Sequence, residues 1–124
     1  MKHEELTGKI IEIFYRVYNT LGYGFLEKIY ENALAFEFRR VGLKFGKQVP
    51  ISVLYEGEVM GDYFADFIVE GKVIVEVKAD KFPGDDGEKQ LLNYLRATDN
   101  DVGLLLGFGK KAEVRRKIFE RARE

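Results

Sequence analysis

The chain has 124 residues, 46% of them hydrophobic and 33% charged, with no cysteine and one histidine, His3. That composition excludes a disulfide framework, a thiolate metal site, a cysteine nucleophile and a histidine-rich metal centre, and leaves any catalysis to carboxylates, Lys, Arg, hydroxyls and amides. The net charge of −1 argues against a protein that coats nucleic acid by bulk charge.

The length fits one compact domain over residues 1–124, large enough to bury about two-thirds of the surface its unfolded chain would expose. The longest apolar runs are too short to span a membrane and no signal-peptide core follows Met1, so a cytoplasmic protein with no membrane partner is expected. The charge is uneven. Residues 110–124 hold seven basic side chains against three acidic ones, a surplus of +4 that leaves −5 for residues 1–109.

The first helix is predicted over 4–21, where Leu6, Ile10, Ile13, Phe14, Val17 and Leu21 recur at three- and four-residue spacing. Gly22-Tyr23-Gly24 ends it, because glycine accepts the left-handed turn that follows a helix. A second helix is predicted over 25–41, with Leu26, Ile29, Tyr30, Ala33 and Leu34 inward and Gly42 as its stop. Glu27 and Glu31 lie one turn apart on the same side of it.

Three strands follow, over 49–55, 62–69 and 73–79, the last rich in valine as a central strand should be. Short turns make them an antiparallel meander. Pro83-Gly84 breaks the chain, and Asp85 or Asp86 can cap a third helix extending to Thr98. Residues 101–108 contain Leu104-Leu105-Leu106, a continuous apolar run expected of a strand buried on both faces. A basic final helix is predicted from Lys110 to the end. The predicted order is α-α-β-β-β-α-β-α. It corresponds to an α/β fold: a three-layer α/β/α arrangement around a mixed sheet of about four strands, with the third helix crossing over to bring the fourth strand parallel to the third.

The chemistry concentrates on the third strand. Side chains alternate between faces, so Val73, Val75, Val77 and Ala79 share one side while Ile74, Glu76, Lys78 and Asp80 share the other. On the preceding strand Phe64, Asp66 and Ile68 are expected to share a face, opposite Ala65, Phe67 and Val69. A two-residue Glu70-Gly71 turn would pair Asp66 with Val75 and put Glu76 on the opposite face. A three-residue loop puts Asp66 on the Glu76 face. Burial favours the second register, because the first sets polar residues among the valines of the neighbour. Two carboxylates on adjacent strands repel each other; a divalent cation with oxygen ligands or an ion pair with Lys78 would each compensate.

Asp66, nine residues, Glu76, one residue, Lys78 resembles the D-x(n)-E-x-K signature of PD-(D/E)XK nucleases. Upstream, Gly24-Phe25-Leu26-Glu27-Lys28-Ile29-Tyr30 matches G-x-x-E-x-x-Y. Together with Gln48-Val49-Pro50, Val75-Glu76-Val77-Lys78-Ala79 and Gln90-Leu91-Leu92-Asn93-Tyr94-Leu95, it is similar to the GxxExxY family of small PD-(D/E)XK-like proteins over most of the chain, about residues 10–108. The resemblance implies a restriction-endonuclease-like core and a metal-dependent nuclease site. Asp66 and Glu76 would ligate Mg²⁺, for which Mn²⁺ can substitute, with the Val77 carbonyl as a further ligand. Glu27 would complete the acidic cluster. Lys78 would orient or activate water, and Gln90 would reach toward the same site. Tyr30 and Tyr94 match motif tyrosines without an assigned role. Many relatives carry a histidine where this chain has Gly87, and residues 80–86 are unusually acidic.

The implied activity is phosphodiester hydrolysis of nucleic acid, with DNA the expected substrate. The alternative is a catalytically idle nucleic-acid- or protein-binding module of the same fold. A homodimer is compatible with double-strand cleavage, although no self-complementary patch is legible. The basic tail either balances the acidic body or contacts phosphates.

Overall fold

In the computed structural model, residues 3–80 and 86–120 are described. Helices α1 (Glu4–Leu21) and α2 (Glu27–Arg40) are followed by strands β1 (Phe45–Tyr55), β2 (Glu58–Val69) and β3 (Val73–Lys78). Helix α3 (Asp86–Ala97) and strands β4 (Val102–Phe108) and β5 (Ala112–Ile118) complete the described chain. The fold is α/β, with a five-stranded mixed sheet ordered β1-β2-β3-β4-β5. Among the described residues only the β3–β4 pair is parallel, because α3 carries the chain back between those strands.

Helices α1 and α2 cover one face. The α1 stripe lies where its periodicity predicts, with Ile10, Ile13, Phe14 and Val17 buried. Gly22 ends the helix at φ 68°, its N–H donating to the Tyr18 carbonyl over 2.8 Å. The α2 stripe is displaced from the predicted one. Its buried residues are Tyr30, Leu34, Ala35 and Phe38, while Leu26 is 79% exposed and Ile29 42% exposed. Leu26 is the residue before the first helical turn, so it does not follow the helix's own periodicity. Aromatic rings fill this core: Tyr30 stacks on Phe108 at 4.1 Å and Phe38 meets Phe67 edge-on at 5.3 Å.

Helix α3 covers the other face, where Leu91, Tyr94 and Leu95 pack with Ile51, Ala65, Ile74 and Leu105. Gly103 permits its close approach to β4. A Cβ at that position would lie 2.6 Å from Leu91 Cδ1, inside any real contact distance.

Two further predicted features are corrected. The basic segment after Lys110 is not a helix: residues 112–118 form β5 and pair antiparallel with all of β4. The physical reason is the edge of β4. An entirely buried apolar strand with one open side needs a backbone partner there. The alternation of the segment suits the task. Ala112 and Val114 pack against the α1–α2 core, while Arg115 and Lys117 reach Glu88 on α3 at 3.1 and 2.5 Å. Part of the basic surplus is therefore tied into the fold. Residues 121–124, the end of the expected helix, lie outside the described residues. So do residues 81–85, which hold most of the acidic loop and the candidate cap Asp85.

The second correction concerns β2. Phe67 and Val69 pack into the α1–α2 core, whereas Ala65 belongs to the α3 core. Strict alternation fails at Asp66. Across the ladder Lys47 pairs with Phe67 and Val49 with Ala65, and Gln48 between them has φ 53°. The β1–β2 hairpin thus turns over locally at Gln48 and Asp66, as sheets do where a residue leaves regular pleating.

Candidate active site

The β2–β3 register places the two expected carboxylates together. Val69 pairs with Val73, Ile68 with Ile74 and Phe67 with Val75, so residues 70–72 form a three-residue loop and Asp66 comes opposite Glu76. The Lys72 N–H donates to the Val69 carbonyl over 2.9 Å. Glu70 and Gly71 both adopt positive φ, 54° and 65°, which is the backbone handedness that tight hairpin turns require.

Beyond Phe67 side chains replace the regular backbone ladder. The Asp66 N–H donates to Glu76 Oε2 over 2.8 Å, and Asp66 Oδ2 accepts the Val77 N–H over 2.8 Å. The two carboxylates therefore stitch adjacent strands together where β2 bends away. Each accepts a backbone N–H from the neighbouring strand, the kind of support a preorganised site needs. Lys78 follows on the same strand and is half-buried.

Electrostatics sets these groups apart. Glu76 is only 7% exposed. Burial first, and then the neighbouring Asp66 charge, push its pKa up to about 8; the Asp66 N–H and Lys78 oppose this. Burial also raises Asp66, against the hydrogen bond from Val77 and the Lys78 charge. A buried and a half-buried carboxylate whose cationic neighbour does not offset the cost of desolvation create a local demand for positive charge.

Two further residues belong to this network. Gln48 Nε2 donates to Glu31 Oε1 at 3.0 Å and to Asp66 Oδ1 at 3.2 Å. Burial and Asp66 raise Glu31 in turn. The signals that could have found them were present: Glu31 one turn beyond Glu27, and Gln48 at the head of a quoted motif. Neither residue was expected in the site, since their convergence depends on the bend at Gln48.

The remaining expected residues occupy the margins. Glu27, in the first turn of α2, accepts the Ala79 N–H over a long 3.4 Å, which puts it at the end of β3. Gln90 does not hydrogen-bond the carboxylate pair; it donates to the Tyr94 hydroxyl over 2.7 Å. Tyr94 lies nearer the acids: burial first, then the Glu76 charge, raise its pKa. Tyr30 has a structural task. Its buried hydroxyl donates to the Gly22 carbonyl at 2.7 Å and accepts the Phe25 N–H at 3.2 Å, pinning the loop that leads into Glu27.

A family model described as the PD-(D/E)XK nuclease superfamily matches residues 4–117. The chain belongs to the PD-(D/E)XK nuclease superfamily. Its five-stranded mixed sheet and helices are consistent with the restriction-endonuclease-like fold of that superfamily. No curated protein and no solved structure matches the chain. Nucleases of this superfamily typically use divalent metals. Among the described residues no three or more Asp, Glu or His side chains are gathered as a metal-holding group. Among them, too, no helix is long and apolar enough to cross a membrane.

Proposed function

We propose that this protein is a GxxExxY-type nuclease that hydrolyses phosphodiester bonds in DNA with Mg²⁺ as its metal. The observation that carries this reading is the pairing of buried Glu76 with half-buried Asp66, cross-bonded to the backbone of adjacent strands, with Lys78 further along β3.

The donor set fits a hard cation. Both side chains offer oxygen, both resist ionisation without a positive partner, and their number suits Mg²⁺. That ion usually takes one or two carboxylates and keeps its other positions for water and substrate phosphate. Asp66, Glu76 and the Val77 carbonyl would hold it, with Glu27 and Glu31 adding negative charge at the margin. When bound, the cation lowers the pKa of water to make a nucleophile and neutralises charge on the phosphoryl oxygens.

The protein's own groups do the rest. The hydrogen bonds from Asp66 N–H and Val77 N–H hold each carboxylate in one orientation. Lys78 orients the attacking water and offsets charge on the phosphate. Gln90 holds the Tyr94 hydroxyl beside the acids and acts on the site through it. Gln48 spaces Glu31 from Asp66, so that two like charges share one amide donor.

Incubation of plasmid DNA and oligonucleotides with Mg²⁺ or Mn²⁺ tests the proposal. Cleavage is expected, and is expected to disappear in Asp66→Ala and Glu76→Ala proteins that fold normally. Metal-independent cleavage that survives both substitutions would refute it. DNA binding without turnover under any metal would favour the idle binding module instead.

A further inference from the structure

A cleft of about 680 Å³ opens at the carboxyl ends of the parallel strands β3 and β4, one residue past Lys78. Tyr23 and Gly24 of the α1–α2 loop form one wall. Lys110 and Lys111 of the β4–β5 turn form another, and Asp80 and Glu113 also line it. The floor includes Ala79, whose N–H contacts Glu27, so the cleft is continuous with the end of the strand that carries Glu76 and Lys78.

We infer that this cleft binds a single nucleic-acid strand as it leaves the reacting phosphate, with Lys110 and Lys111 on its phosphates and Tyr23 stacked on an unpaired base. The inference rests on the nuclease reading above and adds to it how the strand is held.

Both lysines are exposed, and among the described residues neither forms an ion pair. Tyr23 is 57% exposed, an aromatic face presented to solvent where a core role would have buried it. An exposed ring beside basic side chains is the combination that holds single strands, through stacking and phosphate contacts together. Of the two acids in the lining, Glu113 is already answered by Arg115 at 3.3 Å. Asp80 therefore supplies the opposing charge and keeps phosphates toward the lysines.

Both walls are fixed in place. The buried Tyr30 hydroxyl ties Gly22 to Phe25 around Tyr23. The Tyr18 hydroxyl sits 2.8 Å from the Gly109 carbonyl and 2.9 Å from the Lys110 carbonyl, fastening the lysine turn to α1. Binding elements held this way lose little freedom when a strand enters.

Fluorescence anisotropy of a labelled oligothymidylate, with EDTA present to prevent metal-dependent cleavage, tests the inference. The Lys110→Ala/Lys111→Ala protein is expected to bind about tenfold more weakly at low salt. Its slope of log affinity against log salt should fall by about 1.4, at ~0.7 per phosphate contact. Tyr23→Ala should weaken binding about tenfold with the slope unchanged, and Tyr23→Phe should restore it. Asp80→Asn should tighten binding, and Lys9→Ala on the outer side of α1 should match the parent. In cleavage assays the lysine variant should raise KM more than it lowers kcat.

Equal affinity and slope in the parent and the lysine variant would overturn the inference, as would preference for duplex over single strand or no binding by the parent. The nuclease reading fails on different evidence: parent protein that does not cleave, or cleavage that survives Asp66→Ala and Glu76→Ala. Parent protein that cleaves while the cleft variants bind and cleave normally would remove this inference alone.

Discussion

The two ends of β3 obey different rules. At its start Val73, Ile74 and Val75 pair residue for residue with β2, and all three are fully buried. At its end Glu76, Val77 and Lys78 keep their pairing with β4, but toward β2 the contacts run through the Asp66 and Glu76 side chains. One end gains its stability from burial. The other accepts the cost of one buried and one half-buried acid side by side, the kind of desolvated charge cluster that marks functional sites more often than structural ones.

The largest expected effect falls on the polar end. Asp66→Ala or Glu76→Ala should lower cleavage by at least about 100-fold, since metal-held charge stabilisation is worth several kcal/mol and each 1.36 kcal/mol is tenfold in rate. Circular dichroism confirming the native fold beside the cleavage assay would separate this from unfolding.

The pH dependence of stability comes next and shows what the polar end costs. The folded pKa of Glu76 is raised from 4.5 to about 8. Its contribution is therefore fully present below the unfolded value and is lost as pH rises through the folded one. Metal-free protein should lose up to about 5 kcal/mol over that window, at 1.36 kcal/mol per pKa unit. Glu76→Gln should flatten most of the loss, leaving the smaller contribution of Asp66. Adding Mg²⁺ at the alkaline end should raise the melting temperature of the parent but not of Asp66→Ala. A parent protein whose metal-free melting temperature climbs across the window would contradict the assignment.

At the apolar end, Val73→Ala should cost about 2 kcal/mol through lost burial and a small cavity. Chemical denaturation would measure that loss, and cleavage per folded molecule should persist. The smallest effect is expected at Glu88, whose ion pairs to Arg115 and Lys117 lie near the surface. Glu88→Ala should cost less than about 1 kcal/mol. A larger loss would mean that side chains, more than the backbone ladder, hold β5 to the sheet.

Much of this architecture was legible because its causes are local. The 3.6-residue stripe of α1, the valines of β3 and the apolar run of β4 each carry their own periodicity, and the structure follows them. The facing of Asp66 and Glu76 was legible too, since only one hairpin register keeps polar residues away from buried valines. The α2 stripe was misplaced because Leu26 precedes the helix and escapes its period. Gln48 and Glu31 could not be placed, because the bend that brings them to Asp66 is a property of two paired strands.

The sequence by itself determined the chemistry that was possible. Without cysteine and with a single histidine, the reactive groups left were carboxylates and lysine, and their spacing on β3 was written in the chain. Tertiary structure decided the rest. It made a strand of residues 112–118, because the open edge of β4 supplies hydrogen bonds that no local propensity can anticipate. It buried Glu76 beside Asp66 and so raised their proton affinities. It also set Tyr23 and Lys110, far apart in the chain, around one cleft, which only packing can do.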